Sequence, residues 1–131
     1  MKGQGSIPIL RVGQTLLATV HVELYDTVAE AFQQDVLTAI EKTGAVGLLV
    51  DISGLETVDS YVARVLADTG RMARLMGADT VLCGMRPEVA ATLIRMGYPM
   101  EGVKTALDVD DGLARLAGGP AVLGGGRPRG A

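Results

Sequence analysis

The chain has 131 residues, 48% of them hydrophobic and 21% charged, with a formal net charge of −3. This balance fits one domain around one core. Aromatic residues make up only 3%, which removes the stacking platforms of single-stranded nucleic-acid binders, and the acidic balance leaves no basic footprint for duplex DNA or anionic membrane.

The first six residues, Met1 to Ser6, lack the apolar centre of a signal peptide, and no apolar run is long enough to span a bilayer. A cytoplasmic location is therefore expected. Ile7 to Val12 is a short apolar run, in which Pro8 argues for an edge strand. Gly13-Gln14 makes a turn, and Thr15 to Val22 returns as the second strand of a hairpin. A helix is expected to open at Tyr25-Asp26-Thr27, with Asp26 or Thr27 as its cap. Phe32, Val36 and Ile40 form its apolar stripe, widened by Val28 and Ala39, and Gly44 is its stop.

Val46 to Ile52 is continuously apolar up to Asp51, the pattern of a strand buried on both faces. The acidic loop Asp51-Ile-Ser-Gly-Leu-Glu-Thr-Val-Asp59-Ser60 follows. A second helix begins at its end, with Val62, Val65, Leu66, Thr69, Met72 and Ala73 as its apolar side and Arg64, Asp68, Arg71 and Arg74 mostly on the other. Gly77 ends it. Thr80 to Gly84 is another strand. Arg86-Pro87-Glu88 opens a third helix with apolar positions Val89, Ala90, Leu93 and Ile94, stopped by Gly97. Val103 to Ala106 is a last short strand, and Asp108 caps a helix reaching Leu116. Strands alternating with helices indicate an α/β fold with a mostly parallel sheet. From Gly118 the chain is rich in Gly, Pro and Arg and reads as a disordered tail, 118–131, behind a domain of residues 1–117.

The sequence offers little for catalysis. Ser60 is not in Gly-x-Ser-x-Gly, and the single histidine, His21, falls in the second strand, where it reads as an ordinary strand residue. Asp51 ends a buried strand, where open α/β folds place ligand-binding groups. The acidic pair of a receiver domain is missing after the first strand, however, which deprives Lys104 of a receiver-like role. Asp51 therefore reads as a loop cap for Ser53-Gly54. Gly124-Gly125-Gly126 precedes no helix and is no phosphate loop. Cys83, the one cysteine, leaves no internal disulfide and no zinc cluster, and reads as a small buried apolar residue. The methionines read as core filler. No metal or cofactor is expected.

Ser60 remains. It reads as a helix N-cap worth about 1 kcal/mol, and equally as a hydroxyl that another protein modifies. A phosphoryl group there would bring about −1.5 to −2 charges to a neutral patch of Gly54, Leu55, Val58, Ser60 and Tyr61. A partner seated on the patch would then have to bury a dianion with no dedicated cation.

The segment Asp51-Ile-Ser-Gly-Leu-x-x-Val-Asp59-Ser60 resembles the signature of STAS domains, the fold of bacterial anti-sigma factor antagonists. Gly84-Met-Arg86-Pro87-Glu88-Val-Ala90-x-x-Leu93-x-x-x-Gly97 is similar to the region after the fourth strand in the stressosome branch. The opening Ile7-Pro8-Ile9-Leu10 and the hairpin resemble the single-domain RsbS type. Tyr61-Val62-Ala63-Arg64 after the serine departs from simple antagonists and favours that branch. So does a first strand at Ile7, which leaves no room for the sensor of RsbR-type paralogues.

The resemblance implies a STAS fold with an N-terminal hairpin and about four helices. It implies a non-catalytic scaffold in a homodimer and a large hetero-oligomer with RsbR-like subunits. Such a scaffold holds an RsbT-like serine/threonine kinase and releases it when Ser60 is phosphorylated, and a phosphatase resets the serine. Ser53, Gly54, Leu55, Val58, Asp59 and Tyr61 are implied as the partner-binding surface. Thr92 falls near a second phosphosite of RsbR-type subunits, although a helix-surface role is simpler. The alternative within the same fold is a simple antagonist that binds an anti-sigma kinase.

Overall fold

Alternate residues of the inner strands face opposite sides of the sheet, and this divides the interior into two unequal cores. The computed structural model describes residues 7–20, 24–97, 100 and 102–118. The elements run β1 (Ile9–Val12), β2 (Thr15–Thr19), α1 (Asp26–Thr43), β3 (Gly47–Asp51), α2 (Ser60–Leu75), β4 (Asp79–Cys83), α3 (Pro87–Met96), β5 (Val103–Ala106) and α4 (Val109–Leu116). The five strands lie in sequence order. The β1–β2 hairpin is antiparallel and every later pairing is parallel, each β-α-β step carrying the chain to the next position. The expected α/β architecture, hairpin and four helices are all present. The tail expectation falls on residues 119–131, outside those described, and so does His21.

Leu48 and Val50 of β3 and Leu82 of β4 join the larger core, with Phe32, Val36 and Ile40 of α1, Val62, Val65 and Leu66 of α2 and Val89 and Leu93 of α3. Leu49, Val81 and Cys83 point the other way and meet Val109, Leu113 and Leu116 of α4. Cys83 is buried, and its burial, followed by the nearby Asp51, pushes the thiol up to about 11.

Several boundaries and faces differ from expectation. β1 begins after Pro8, at Ile9, and lies at the edge of the sheet, where a residue without an N–H leaves no gap in a ladder. β2 ends at Thr19, although the Val20 amide still donates to Asp51 O at 2.9 Å. Val46 lies outside β3 and is 56% exposed. Tyr25, not Asp26 or Thr27, is the N-cap of α1 and uses no side chain, so Asp26 becomes a first-turn acid instead. Gly44 closes α1 at φ 69°. Met72 is 39% exposed, since it lies about 100° around the helix from the buried Ala73. Ile94 lies the same step from Leu93 and is 81% exposed, which leaves Val89 and Leu93 as the buried row of α3.

Candidate functional site

The acidic loop leaves β3 at its C-terminal end. The Ser53 amide donates to Asp51 Oδ1 at 3.0 Å, and the Leu55 amide to Ile52 O at 2.9 Å, which closes a turn with Ser53-Gly54 at its tip. Asp51 is therefore the loop cap the sequence indicates. Leu55 and Val58 are both buried and belong to the larger core. They fix the loop from below, each contributing about 1.5–3 kcal/mol of burial. Their burial corrects the expectation of a partner surface that includes them. The outward face is formed by Ser53, Glu56, Thr57, Asp59 and Ser60, with Gly54 and Tyr61 half-buried.

A strap crosses from the next strand. Arg86 Nε donates to Ser53 O at 2.9 Å. Gly84, at φ 73°, leaves no room for a side chain, because a Cβ there would lie 2.8 Å from Asp51 Oδ1 and 2.9 Å from Ser53 Cβ. The Gly84 amide donates to Leu107 O at 3.1 Å, tying in the end of β5. From sequence, Arg86 reads only as the start of a helix. Its pairing spans 33 residues, so no local pattern could announce it.

The helix start itself differs from expectation. Asp59, not Ser60, is the N-cap of α2, and its Oδ1 accepts from the Val62 amide at 2.8 Å. Asp59 and Ser60 are both good capping residues in consecutive positions, and propensity alone cannot choose between them. With the carboxylate as cap, Ser60 becomes the first helical residue. Its hydroxyl is exposed and has no hydrogen-bond partner among the described residues.

Next to it, the Tyr61 hydroxyl donates to Glu30 of α1. That hydrogen bond raises the phenol to about 12, helped by desolvation and by the charges of Glu30 and Asp26 and opposed by Arg64. A cleft of about 310 Å³ lies alongside, lined by Leu24, Tyr25, Thr57, Val58, Asp59 and Val62. A second hollow of about 410 Å³ lies on the far side of the loop, lined by Asp51, Ser53, Gly84 and residues 107–110. No group of three or more His, Cys, Asp or Glu with metal-binding spacing occurs among the described residues.

The remaining candidates are not part of this site. Thr92 Oγ1 donates to Glu88 O at 2.9 Å within α3, as a helix-surface threonine does. Lys104 is exposed on β5. No helix among the described residues is long and apolar enough to cross a membrane.

A strand, a turn pinned from below, an Asp-capped helix and a free serine at its first position define a STAS domain. The STAS domain family matches residues 6–112, and the chain belongs to it. More particularly, the chain is similar to proteins of the stressosome. It is 39% identical to a serine-to-glutamate variant of RsbS from Moorella thermoacetica, covering 85% of this chain and 94% of that one at a TM-score of 0.75. It is 38% identical to a chain in a structure of the stressosome, described as a signal integration and transduction hub, covering 84% and 96% at a TM-score of 0.69. It is 29% identical over 117 residues to the RsbT co-antagonist protein RsbRA of Bacillus subtilis (strain 168). That match covers 81% of this chain but only 43% of the relative, so the chain spans less than half the length of this curated relative. The resemblance carried by the loop, the post-β4 segment and the hairpin is thus borne out at the level of family and fold.

Proposed function

We propose that this chain is a phospho-regulated scaffold of the stressosome. It binds an RsbT-like serine/threonine kinase and RsbR-like sister subunits, and releases the kinase when Ser60 is phosphorylated. A phosphatase restores it. The chain supplies no catalytic group. The kinase transfers a phosphoryl group from ATP to Ser60 Oγ, and the hydroxyl proton leaves to a base of the kinase.

The observation that carries this reading is the spare hydroxyl. Ser60 is exposed on a rigid helix start, and Asp59 already performs the capping, so a phosphate can be added or removed without unmaking the fold. The added charge arrives next to Asp59 and one residue from Tyr61, whose hydroxyl is held by Glu30 and also feels Asp26. A partner that tolerated a neutral hydroxyl would have to desolvate a dianion among carboxylates, at a cost of several kcal/mol. The exposed parts of Ser53, Gly54, Asp59 and Tyr61 form the contact surface in this reading, and Leu55 and Val58 hold it in shape from beneath.

The test incubates the protein with ATP and an RsbT-like serine kinase, and maps phosphate by mass spectrometry. The expected result is one phosphate on Ser60 in the wild type and none in Ser60→Ala, with the alanine variant retaining the kinase in a pull-down. Ser60→Asp should release it only partly, because one carboxylate carries less charge than a phosphate. Equal phosphorylation of Ser60→Ala and wild type overturns the reading.

A further inference from the structure

We propose that the guanidinium of Arg64 is the group that receives a phosphate placed on Ser60. This rests on the reading of Ser60 as phosphoacceptor and adds a positioning residue that the loop signature does not contain.

Ser60 and Arg64 are four residues apart on α2, so they lie one above the other on the same face. A helical side chain leans back over the turn N-terminal to its own Cα, which carries a long arginine from position 64 toward positions 60 and 61. The charge of Arg64 is felt at the Tyr61 hydroxyl, as expected for a guanidinium over that turn.

Arg64 is also available. It is exposed and has no hydrogen bond or ion pair among the described residues. The acid that could compete from the next turn, Asp68, is held by Arg71. Glu30 already accepts from Tyr61, and Asp59 is committed to the Val62 amide. The other cation of this end, Arg86, is fixed on Ser53 O. A phosphate on Ser60 would meet the neighbouring Asp59 and, past Tyr61, the charges of Glu30 and Asp26 of α1 that act on its hydroxyl, with Glu56 exposed in the same loop, and Arg64 is an unpaired positive charge one turn away.

The molecule already contains a finished acid–arginine pair near a helix start. In α4, Asp108 caps the helix as Asp59 does in α2, and Arg115 Nε donates to Asp111 Oδ2 at 3.2 Å across an i,i+4 step. Ser60 and Arg64 repeat the i,i+4 step two positions nearer their own cap, with the acid missing, and phosphorylation would supply it. A planar guanidinium can then hold two phosphate oxygens at once. The same event withdraws Arg64 from any carboxylate of a bound partner, so one modification both adds a dianion and removes a cation from the contact surface.

The test installs phosphoserine at position 60 during translation, with no kinase involved, and follows the phosphate by phosphorus NMR against pH. A free phosphoserine has its second pKa near about 6. In the wild type it should lie lower, and Arg64→Gln should raise it by about half a unit. Arg64→Lys should recover only part of the shift, because it keeps the charge and loses the fork, and Arg71→Gln should leave it unchanged. The difference should shrink at about 1 M salt. Coincident titration curves for wild type and Arg64→Gln at low salt overturn the proposal. Because the phosphate is installed without a kinase, that result would leave the phosphoacceptor reading standing. Conversely, a kinase that ignored Ser60 would leave the Arg64 result unaffected.

Discussion

The starts of α2 and α4 are built alike and filled differently. Each opens on an aspartate whose carboxylate accepts the amide three residues on, Asp59 from Val62 at 2.8 Å and Asp108 from Asp111 at 2.9 Å. Each carries an arginine in register with its first turn and a glycine pressed against the sheet, Gly70 on Val103 and Gly112 on Leu49. The first turn of α4 contains Asp110 and Asp111, and Asp111 is bonded to the Leu107 amide and to Arg115. The first turn of α2 contains no acid. Three residues after its cap α4 has a satisfied carboxylate and α2 has Val62, and one residue after its cap α2 has an unengaged hydroxyl, with an unengaged arginine four residues further on. One helix start is structurally complete, and the other is complete as a fold while leaving its charge to be set from outside.

The largest expected effect tests whether both helices lie on the sheet in the same way. A Cβ at Gly70 would come within 2.3 Å of Val103 Cγ2, and one at Gly112 within 2.5 Å of Leu49 Cδ1. Alanine gains up to about 1 kcal/mol of helix propensity over glycine, so on propensity alone both substitutions would stabilise. We expect Gly70→Ala to destabilise instead, by about 1–3 kcal/mol in chemical denaturation, because the β-branched Val103 cannot rotate away. Gly112→Ala should cost less, since a terminal leucine methyl has more freedom to move. A stabilised Gly70→Ala would mean that α2 can lift from β5, unlike α4 from β3.

The second test concerns the division of labour between Asp59 and Ser60. Asp59→Ala should lose about 1 kcal/mol, the ordinary value of a side-chain cap. Ser60→Ala should stay within about 0.5 kcal/mol of the wild type in the same urea titration, as expected for a surface position with no partner. A loss at Ser60 equal to that at Asp59 would make the hydroxyl the cap and would break the comparison with α4.

That division also marks the limit of what the sequence could show. The alternation of strands and helices, the stops at Gly44 and Gly97 and the Asp108 cap were legible because each rests on local periodicity or a single backbone demand. The Asp59-Ser60 junction is legible as a helix start, but the cap is Asp59 where the sequence points to Ser60, since either residue can cap and the choice depends on where the buried Leu55 and Val58 place the loop. The same burial removed those two residues from the surface patch: a hydrophobic residue in an acidic loop looks exposed until its anchor in the core is seen. Met72 and Ile94 followed helical spacing, yet each lies one residue beyond the row the core can accept. Arg86 on Ser53 and Tyr61 on Glu30 are pairings across 33 and 31 residues. They exist only once β3, β4, α1 and α2 are assembled.

The smallest expected effect is the most informative about Arg64. The Asp111 carboxyl is held below the ordinary carboxylate range, first by the Leu107 amide and, against some desolvation, by the hydrogen bond and charge of Arg115. A carboxyl depressed in the folded state contributes stability that is present above its unfolded value, near about 3.9, and is lost as pH falls through its folded value. Asp111→Asn should therefore lower Tm near about pH 7, and the gap to wild type should close on acidification below the ordinary carboxylate range. Arg115→Gln should open a smaller gap over the same window, because it leaves the leading amide donor in place. If the two variants instead lose equally, the arginine carries the whole pair in α4. The distinction bears on α2, where among the described residues no backbone amide donates to the Ser60 side chain as Leu107 does to Asp111, so a phosphate there must rely more heavily on its arginine. A dominant amide in α4 thus predicts that the α2 pair is the more sensitive of the two to losing its cation.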